Sequence, residues 1–366
     1  MCIRDRGNGE EPATLDPHLA EGSPSAHILR DLFEGLTTES PDGKIVPGAA
    51  ARWNISRDAR TYTFYLRRDS FWSNGDPLLA EDFVYSLRRS ANPETASSSA
   101  VMLLPIHNAR EVLAGELPVE ELGISLLDEF TLQITLAGPT PYFLGLLAHP
   151  VAYPVNRRNI EEYGDQFSRP GKLVSNGAYV LKNWNPRVSI ELRKNLLFRD
   201  ADQTIIEQVI YLPIEELSAE VTQFRSGGLD WTNEVPNNQF KWLERYYPDE
   251  LVVSPWMGSY FFGFNLATEP FVENADLRQA LTLAIDRQVI TDKVTQFGEK
   301  PSFALVPPGI DGYVPFSPEY ADWTQEQRND KARRLYDRAG YSEEDPLRVE
   351  IRYNTSENHK KIALAI

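Results

Sequence analysis

Residues able to do chemistry are abundant in one class and sparse in the others. His18, His27, His107, His149 and His359 are the five histidines; no two stand four residues apart, as a helical metal pair would. Cys2 is the only cysteine, so neither an internal disulfide nor a Cys-based metal site can form. No phosphate loop of Walker spacing occurs, and no Gly-x-Ser-x-Gly elbow; Ser175 and Ser226, beside glycines, read as turn residues. Gly7-Asn8-Gly9 follows no strand visible in the pattern, which empties a dinucleotide reading. With 53 Asp and Glu, some pair can always be drawn to mimic a glycosidase, so carboxylates alone carry no weight. The residues give no positive evidence for an enzyme, and imply neither a metal nor a cofactor.

The elements that must position any site are clearest in residues 61–89. Tyr62, Phe64 and Leu66 alternate with Thr61, Thr63 and Tyr65, a period of two that predicts a strand. Ser73-Asn74-Gly75-Asp76 supplies turn chemistry, and Phe71 and Trp72 before it are aromatics of an exposed type. After Pro77 the period changes. Ala80, Phe83, Val84 and Leu87 form a helical stripe, with Glu81 and Asp82 in the first turn, where the helix dipole favours negative charge.

The rest of the chain is read in the same way. Ser25 is a plausible N-cap for a helix over residues 26–33, and residues 98–115 read as helical. Residues 124–136 hold two strand-like runs, and strands are expected over 179–184, 189–193 and 205–211. A helix over 218–226 ends at Gly227-Gly228. Residues 251–265 read as strand-rich and aromatic, 274–294 as an amphipathic helix pair, 325–340 as a solvated helix, and 347–351 as a strand. Strands alternate with helices but also run in pairs, which predicts α/β architecture with mixed sheets.

At 366 residues the chain is expected to form two or three domains. A hydrophobic share of 42% with 25% charged residues is that of a soluble globular protein, and no run of eighteen apolar residues exists. The net charge of −16 disfavours a nucleic-acid partner. Met1 to Arg6 (MCIRDR) lacks the apolar segment of a leader and reads as an artefact standing in its place, outside the fold. The last helix, from Glu357, is still adding apolar residues (Ile362, Ala363, Ile366) where the sequence stops, so a fragment lacking C-terminal material is expected.

The order of these segments resembles a known family. Ala50 to Trp53, Tyr62-Thr63-Phe64-Tyr65-Leu66-Arg67, Phe71-Trp72-Ser73-Asn74-Gly75-Asp76-Pro77 and Glu81-Asp82-Phe83-Val84-Tyr85-Ser86 look like the signature of extracytoplasmic solute-binding proteins of peptide ABC transporters (family 5). Leu15-Asp16-Pro17-His18, Asp31-Leu32-Phe33-Glu34-Gly35-Leu36, Ser175-Asn176-Gly177-Ala178-Tyr179 and Tyr353-Asn354-Thr355-Ser356 fall in family order too. The resemblance covers residues 7–366 and is nearest the oligopeptide-binding branch. One departure is Leu79, where members often have a Thr cap, so a looser helix start is expected.

The resemblance implies a periplasmic-binding-protein type II-like two-lobe fold with an extra inserted domain, truncated at its C-terminus. Mapped by motifs, the first lobe would be residues 7–33 and 157–257, the extra domain 34–156, and the second lobe 258–366, incomplete. It also implies a monomer outside the cytoplasm that captures oligopeptides between closing lobes and delivers them to the permease of an ABC importer. Another solute on the same scaffold (a metal chelate, a haem, a sugar oligomer) or a role as a ligand sensor are the alternatives. Residues carried over to the ligand site are Glu21-Gly22-Ser23, as a first-lobe strand beside the ligand, and His359, near its carboxylate end. Asn233, Trp256 and Tyr260 are added at the hinge and aromatic wall. Ser99 and Thr295 replace a pocket tyrosine and lysine of close relatives, and the aspartate that grips the ligand amine in the family lies beyond Ile366.

Overall fold

The alternation of Thr61–Leu66 becomes an inner strand of a four-stranded sheet in a computed structural model of the chain, which describes residues 2–254, 257–310 and 313–366. The chain divides into two compact units, Met1–Glu234 and Val235–Ile366. The first opens with β1 (Ile3–Gly7), α1 (Gly22–Leu32), β2 (Thr37–Glu39), β3 (Ile45–Pro47), β4 (Ala50–Ile55), β5 (Thr61–Leu66) and α2 (Ala80–Ala91). It continues through α3 (Ala109–Leu113), β6 (Ile124–Asp128), β7 (Thr131–Thr135), α4 (Phe143–Leu146) and α5 (Arg157–Tyr163). It closes with β8 (Tyr179–Asn185), β9 (Ser189–Lys194), β10 (Gln208–Leu212) and α6 (Leu217–Arg225). The second unit holds α7 (Phe240–Tyr246), α8 (Ala275–Ala284), α9 (Arg287–Val289), a π-helical turn over Ile290–Thr295, α10 (Gln325–Arg338) and α11 (Glu357–Ala365).

Two four-stranded sheets organise the first unit. One is antiparallel, in the order β4-β5-β7-β6, with Phe64 opposite Leu132 and Tyr62 opposite Ile134. Its inward side chains and the stripe Ala80, Phe83 and Leu87 of α2 lie in one core, nearly all at 0% exposure. Burying a side chain of this size stabilises by about 1.5–3 kcal/mol, so the stripe alone justifies the helix. The other sheet is mixed, in the order β1-β10-β9-β8; β1 runs parallel to β10, and β8 to β10 are antiparallel neighbours. Ile28, Leu29 and Leu32 of α1 share its core with Ile190, Leu192 and Tyr211.

The signature motifs fasten these layers together. Asn176 donates from its side-chain nitrogen to Glu34 O (2.9 Å) and accepts from Glu34 N–H through its oxygen (3.1 Å). A Cβ on the next residue, Gly177, would lie 2.6 Å from the backbone carbon of Leu32, so only glycine fits there. The Glu34 carboxylate forms a double ion pair with Arg199, both side chains close to fully buried. Arg89 reaches Asp16 through two nitrogens (2.6 and 3.0 Å) and His18 Nδ1 (2.7 Å), while His18 Nε2 meets Tyr153 O (3.0 Å).

Several expectations are corrected. Residues 3–6 of the segment set aside as foreign form β1 together with Gly7, because the parallel edge of β10 offers a ladder for them. Gly7-Asn8-Gly9 therefore does follow a strand, but no helix N-terminus comes next, as a dinucleotide fingerprint needs. Helix α1 starts at Gly22, not after Ser25. Glu21 is its extended N-cap residue, Gly22 takes φ +75° into the turn, and Pro24 fills a first-turn position whose N–H is not required; Ser25 is buried inside the helix. The expected helix over 98–115 breaks into a 3-10 run (Ser98–Leu103) and α3. Trp72 is buried (1% exposed) where an exposed aromatic was expected, while Phe71 is exposed.

The start of α2 is not loose. Asp82 Oδ2 accepts the N–H of Leu79 (2.8 Å), the reciprocal half of a capping box, and does so without a Thr. In the second unit, no strand forms over the described residues of 251–265 or over 347–351. Val252, Val253, Phe261, Val349 and Ile351 remain exposed there, because a strand needs a paired ladder and alternation alone supplies none. The described core of this unit is small: Ala280 and Leu283 of α8 against Ala332 and Leu335 of α10. The helix pair expected over 274–294 is α8 followed by α9 and its π turn.

Candidate functional site

The carried-over residues of the first unit gather around the loop that leaves β1. Asn8, fully buried, donates from Nδ2 to Pro24 O (3.1 Å), which ties the loop to the turn Glu21-Gly22-Ser23. Gly9 takes φ +69°, and a Cβ there would lie 3.5 Å from Asn233 Nδ2. Pro24, next to Glu21-Gly22-Ser23 in the chain, and Asn233 thus flank one backbone turn, Asn8-Gly9, although 209 positions separate Pro24 from Asn233 in the sequence numbering. The expected strand at Glu21-Gly22-Ser23 is instead the entry of α1, for the reason given above.

Beneath Asn233 lies a carboxylate missed by sequence reasoning. Glu220 of α6 is fully buried and accepts the N–H of Asn233 through Oε1 (2.7 Å). The same oxygen occupies the space above Gly7, where a Cβ would clash at 1.5 Å. Burial raises its pKa to about 7; hydrogen bonds from the backbone of Asn233 and Glu234 and the charge of Arg6 work the other way. Its signal was present in the sequence: Leu217, Glu220 and Val221 occupy one helical face, so an acid interrupts an apolar stripe. Tyr211, on β10, donates to Asp31 Oδ2 (2.7 Å), with the Arg6 guanidinium over its ring. Burial raises the Asp31 pKa as well.

In the second unit, Tyr260 and His359 come together with ring centroids 4.6 Å apart. Ser356 caps α11 by accepting the N–H of His359, and Asn354 Oδ1 meets His359 Nδ1 at 2.5 Å. With Nδ1–H donating to Asn354, Nε2 is the ring nitrogen turned away from it, and it donates to an anion only in the imidazolium form. Asn354 and Ser356 come from the motif Tyr353-Asn354-Thr355-Ser356, so the motif positions the histidine. Trp256 lies outside the described residues. Thr295, in place of a pocket lysine, is buried and donates from its hydroxyl to Glu299 (2.9 Å).

Three of the other histidines are structural. Burial, and then the charge of Arg89, push His18 down to about 4; burial, with Arg6 and Arg30, takes His27 to about 4. His149 accepts the N–H of Val151 at the start of a 3-10 turn. Among the described residues no three His, Cys, Asp or Glu side chains gather as a metal centre would require, and no helix is long and apolar enough to cross a membrane. What remains is a set of buried polar anchors under glycine-rich backbone in one unit, and an aromatic–histidine pair in the other. These groups suit recognition by hydrogen bonding and stacking.

Comparison with known proteins points the same way. Residues 44–366 match the bacterial extracellular solute-binding proteins, family 5 middle. The chain is 42% identical over 363 residues to the periplasmic oligopeptide-binding protein OppA of Escherichia coli, covering 98% of this chain and 66% of that protein. The chain therefore spans about two thirds of the length of the curated relatives it matches. The structure of the murein tripeptide binding protein MppA of Escherichia coli superposes with a TM-score of 0.96 at 37% identity, covering 100% of this chain and 71% of that one. Haemophilus influenzae OppA in complex with RPPGFSPFR gives a TM-score of 0.94 at 38% identity, covering 99% and 71%.

Proposed function

The chain belongs to the bacterial extracellular solute-binding proteins of family 5, and from that premise we propose that it is the receptor of a peptide importer, capturing oligopeptides outside the cytoplasm and delivering them to the permease of an ABC transporter. The observation that carries this reading is the similarity, along 98% or more of this chain, to an oligopeptide-binding protein and to a relative's structure in complex with a nonapeptide sequence. It acts by binding and closure, as a monomer, with no catalytic step and no cofactor.

The proposed layout is a first lobe of residues 7–33 and 157–257, an inserted domain of residues 34–156, and a second lobe beginning at residue 258. Two features support it. The mixed sheet draws β1 from before, and β8 to β10 from after, the stretch that forms the antiparallel sheet. That antiparallel sheet takes all its strands from Ala50 to Thr135.

Glu21, Gly22, Ser23 and Asn233 would face the peptide backbone, Trp256 and Tyr260 would supply aromatic walls, and His359 would lie near the ligand carboxylate. A peptide offers backbone donors and acceptors whatever its sequence, so backbone pairing gives affinity without side-chain choice. Hydrated pockets then accommodate varied side chains. The test is native mass spectrometry of the complete gene product with its co-purified ligand. Mixed short peptides are expected; recovery of one non-peptide solute, with no tryptophan fluorescence response to added peptides, overturns the reading.

A further inference from the structure

The first unit carries a cradle that shares no lining residue with the site described above. A cavity of about 450 Å³ opens where β4, β5 and the β6–β7 turn meet, lined by Arg52, Tyr65, Arg67, Arg68, Asp69 and Phe130, among others. Among its lining residues three guanidiniums stand against one carboxylate, on a protein whose net charge is −16; Asp128 and Glu34 are near enough to feel Arg68 and Arg67. All three are already held in place. Arg52, opposite Tyr65 in the β4–β5 register, lies 3.6 Å from the centre of that ring, and Asn54 holds the Tyr65 hydroxyl (3.2 Å). Arg68 lies 4.6 Å from the centre of the Phe130 ring. Arg67 is anchored by its Nε–H on Gly48 O (2.9 Å).

None of the three forms an ion pair among the described residues, and the side chains of Arg52 and Arg68 donate no hydrogen bond there. Asp128 feels Arg68 only as a lesser influence, behind hydrogen bonds from Phe130 and Thr131. Stacking on a ring fixes the plane of a guanidinium and leaves its edge donors free, so little rotamer entropy remains to be lost on binding. Forks of this kind match tetrahedral oxyanions bidentately. A phosphate monoester carries a charge of about −1.5 to −2 at neutral pH and a phosphodiester headgroup less, and either complements a lining in which guanidiniums outnumber carboxylates.

We propose that the Arg52–Arg67–Arg68 cradle is a second ligand site, binding a phosphoryl group of a small phosphorylated molecule or of a lipid headgroup. It does not depend on the peptide reading. Arg52 and Arg68 grip the oxyanion by their edge N–H groups, and Arg67 adds charge from the floor. The protein as a whole repels anions, so affinity is local and falls as salt rises.

The test is calorimetric titration with inorganic pyrophosphate at constant ionic strength, beside sedimentation with phosphatidylglycerol and phosphatidylcholine vesicles. Saturable binding that weakens roughly tenfold or more in R52A/R68A is expected, the loss fitting two charge-assisted contacts. R52K/R68K, which keeps the charge but not the fork, should fall between the two. Pyrophosphate binding without vesicle binding assigns a free phosphoryl ligand; selective binding to phosphatidylglycerol vesicles, lost in R52A/R68A, assigns the headgroup. The proposal fails if neither probe binds the unmodified chain, or if binding survives R52A/R68A unchanged while far-UV circular dichroism shows both proteins folded.

Discussion

The indole N–H of Trp72 donates to Oδ2 of Asp82 at 3.1 Å, and that same oxygen accepts the backbone N–H of Leu79. One carboxylate thereby joins a buried aromatic to the first turn of α2. Replacing Asp82 by Ala removes the acceptor of both bonds and should cost about 1–2 kcal/mol of stability, read as a lower urea midpoint. Trp72→Phe keeps most of the ring and loses one bond. An Asp82→Ala chain as stable as the parent would show the cap to be dispensable.

Arg89 and Asp16 form the second such joint, with side chains 17% and 5% exposed. Arg89→Ala leaves Asp16 buried without its partner and takes a donor from His18. Removing one partner of a buried pair costs about 3–5 kcal/mol. Chemical denaturation should place Arg89→Ala among the most damaging single changes in the first unit, well beyond Arg157→Ala, whose exposed i,i+4 pair with Glu161 is worth little.

Glu220 gives the stability a pH dependence of known sign. Its folded pKa, about 7, lies above the ordinary 4.5. The folded state therefore holds the proton more tightly, and this stabilisation is complete below about 4.5 and lost as pH rises through 7. Glu220→Gln, which cannot ionise, should remove roughly 3 kcal/mol of pH dependence from that window. His18 and His27 have the opposite sign, since both are pushed down to about 4. The informative quantity is thus the difference between parent and Glu220→Gln at each pH; a difference constant from pH 4 to 8 would contradict the assignment.

His359 is tested against the ligand's own chemistry. In the complete protein, His359→Ala should weaken binding of a free-carboxylate peptide by about tenfold, the scale of one charge-assisted contact. A C-terminally amidated peptide should bind the parent less well and be insensitive to His359→Ala. Equal losses for both peptides would place the histidine away from the carboxylate.

Gly177 tests the motif Ser175-Asn176-Gly177-Ala178-Tyr179. Ser175 Oγ–H donates to Tyr179 O (3.1 Å), and Asn176 holds both backbone groups of Glu34. A methyl at residue 177 meets the backbone of Asp31 and Leu32 at 2.6–2.7 Å, and backbone cannot swing aside as a side-chain tip can. Gly177→Ala should destabilise by about 2–4 kcal/mol, measured by thermal unfolding.

The sequence by itself determined the local elements whose signal is periodic and whose partners are near. The alternation of Thr61–Leu66, the stripe of α2 and the strand pair around residues 185–187 are legible because each pattern declares its own buried face. The order of motifs was enough to identify the family, and many of those motifs turn out to hold the fold together. Tertiary structure decided everything that depends on a distant partner. β1, which does not alternate, exists because β10, some two hundred residues later, offers a parallel edge, whereas the alternating residues 347–351 form no strand. Asn176 and Glu34 meet across 142 positions, and burial beneath Gly7 and Asn233 raises the pKa of Glu220. A hydrogen-bond ladder or a desolvated carboxylate belongs to two or more segments at once, so no single window of sequence contains it.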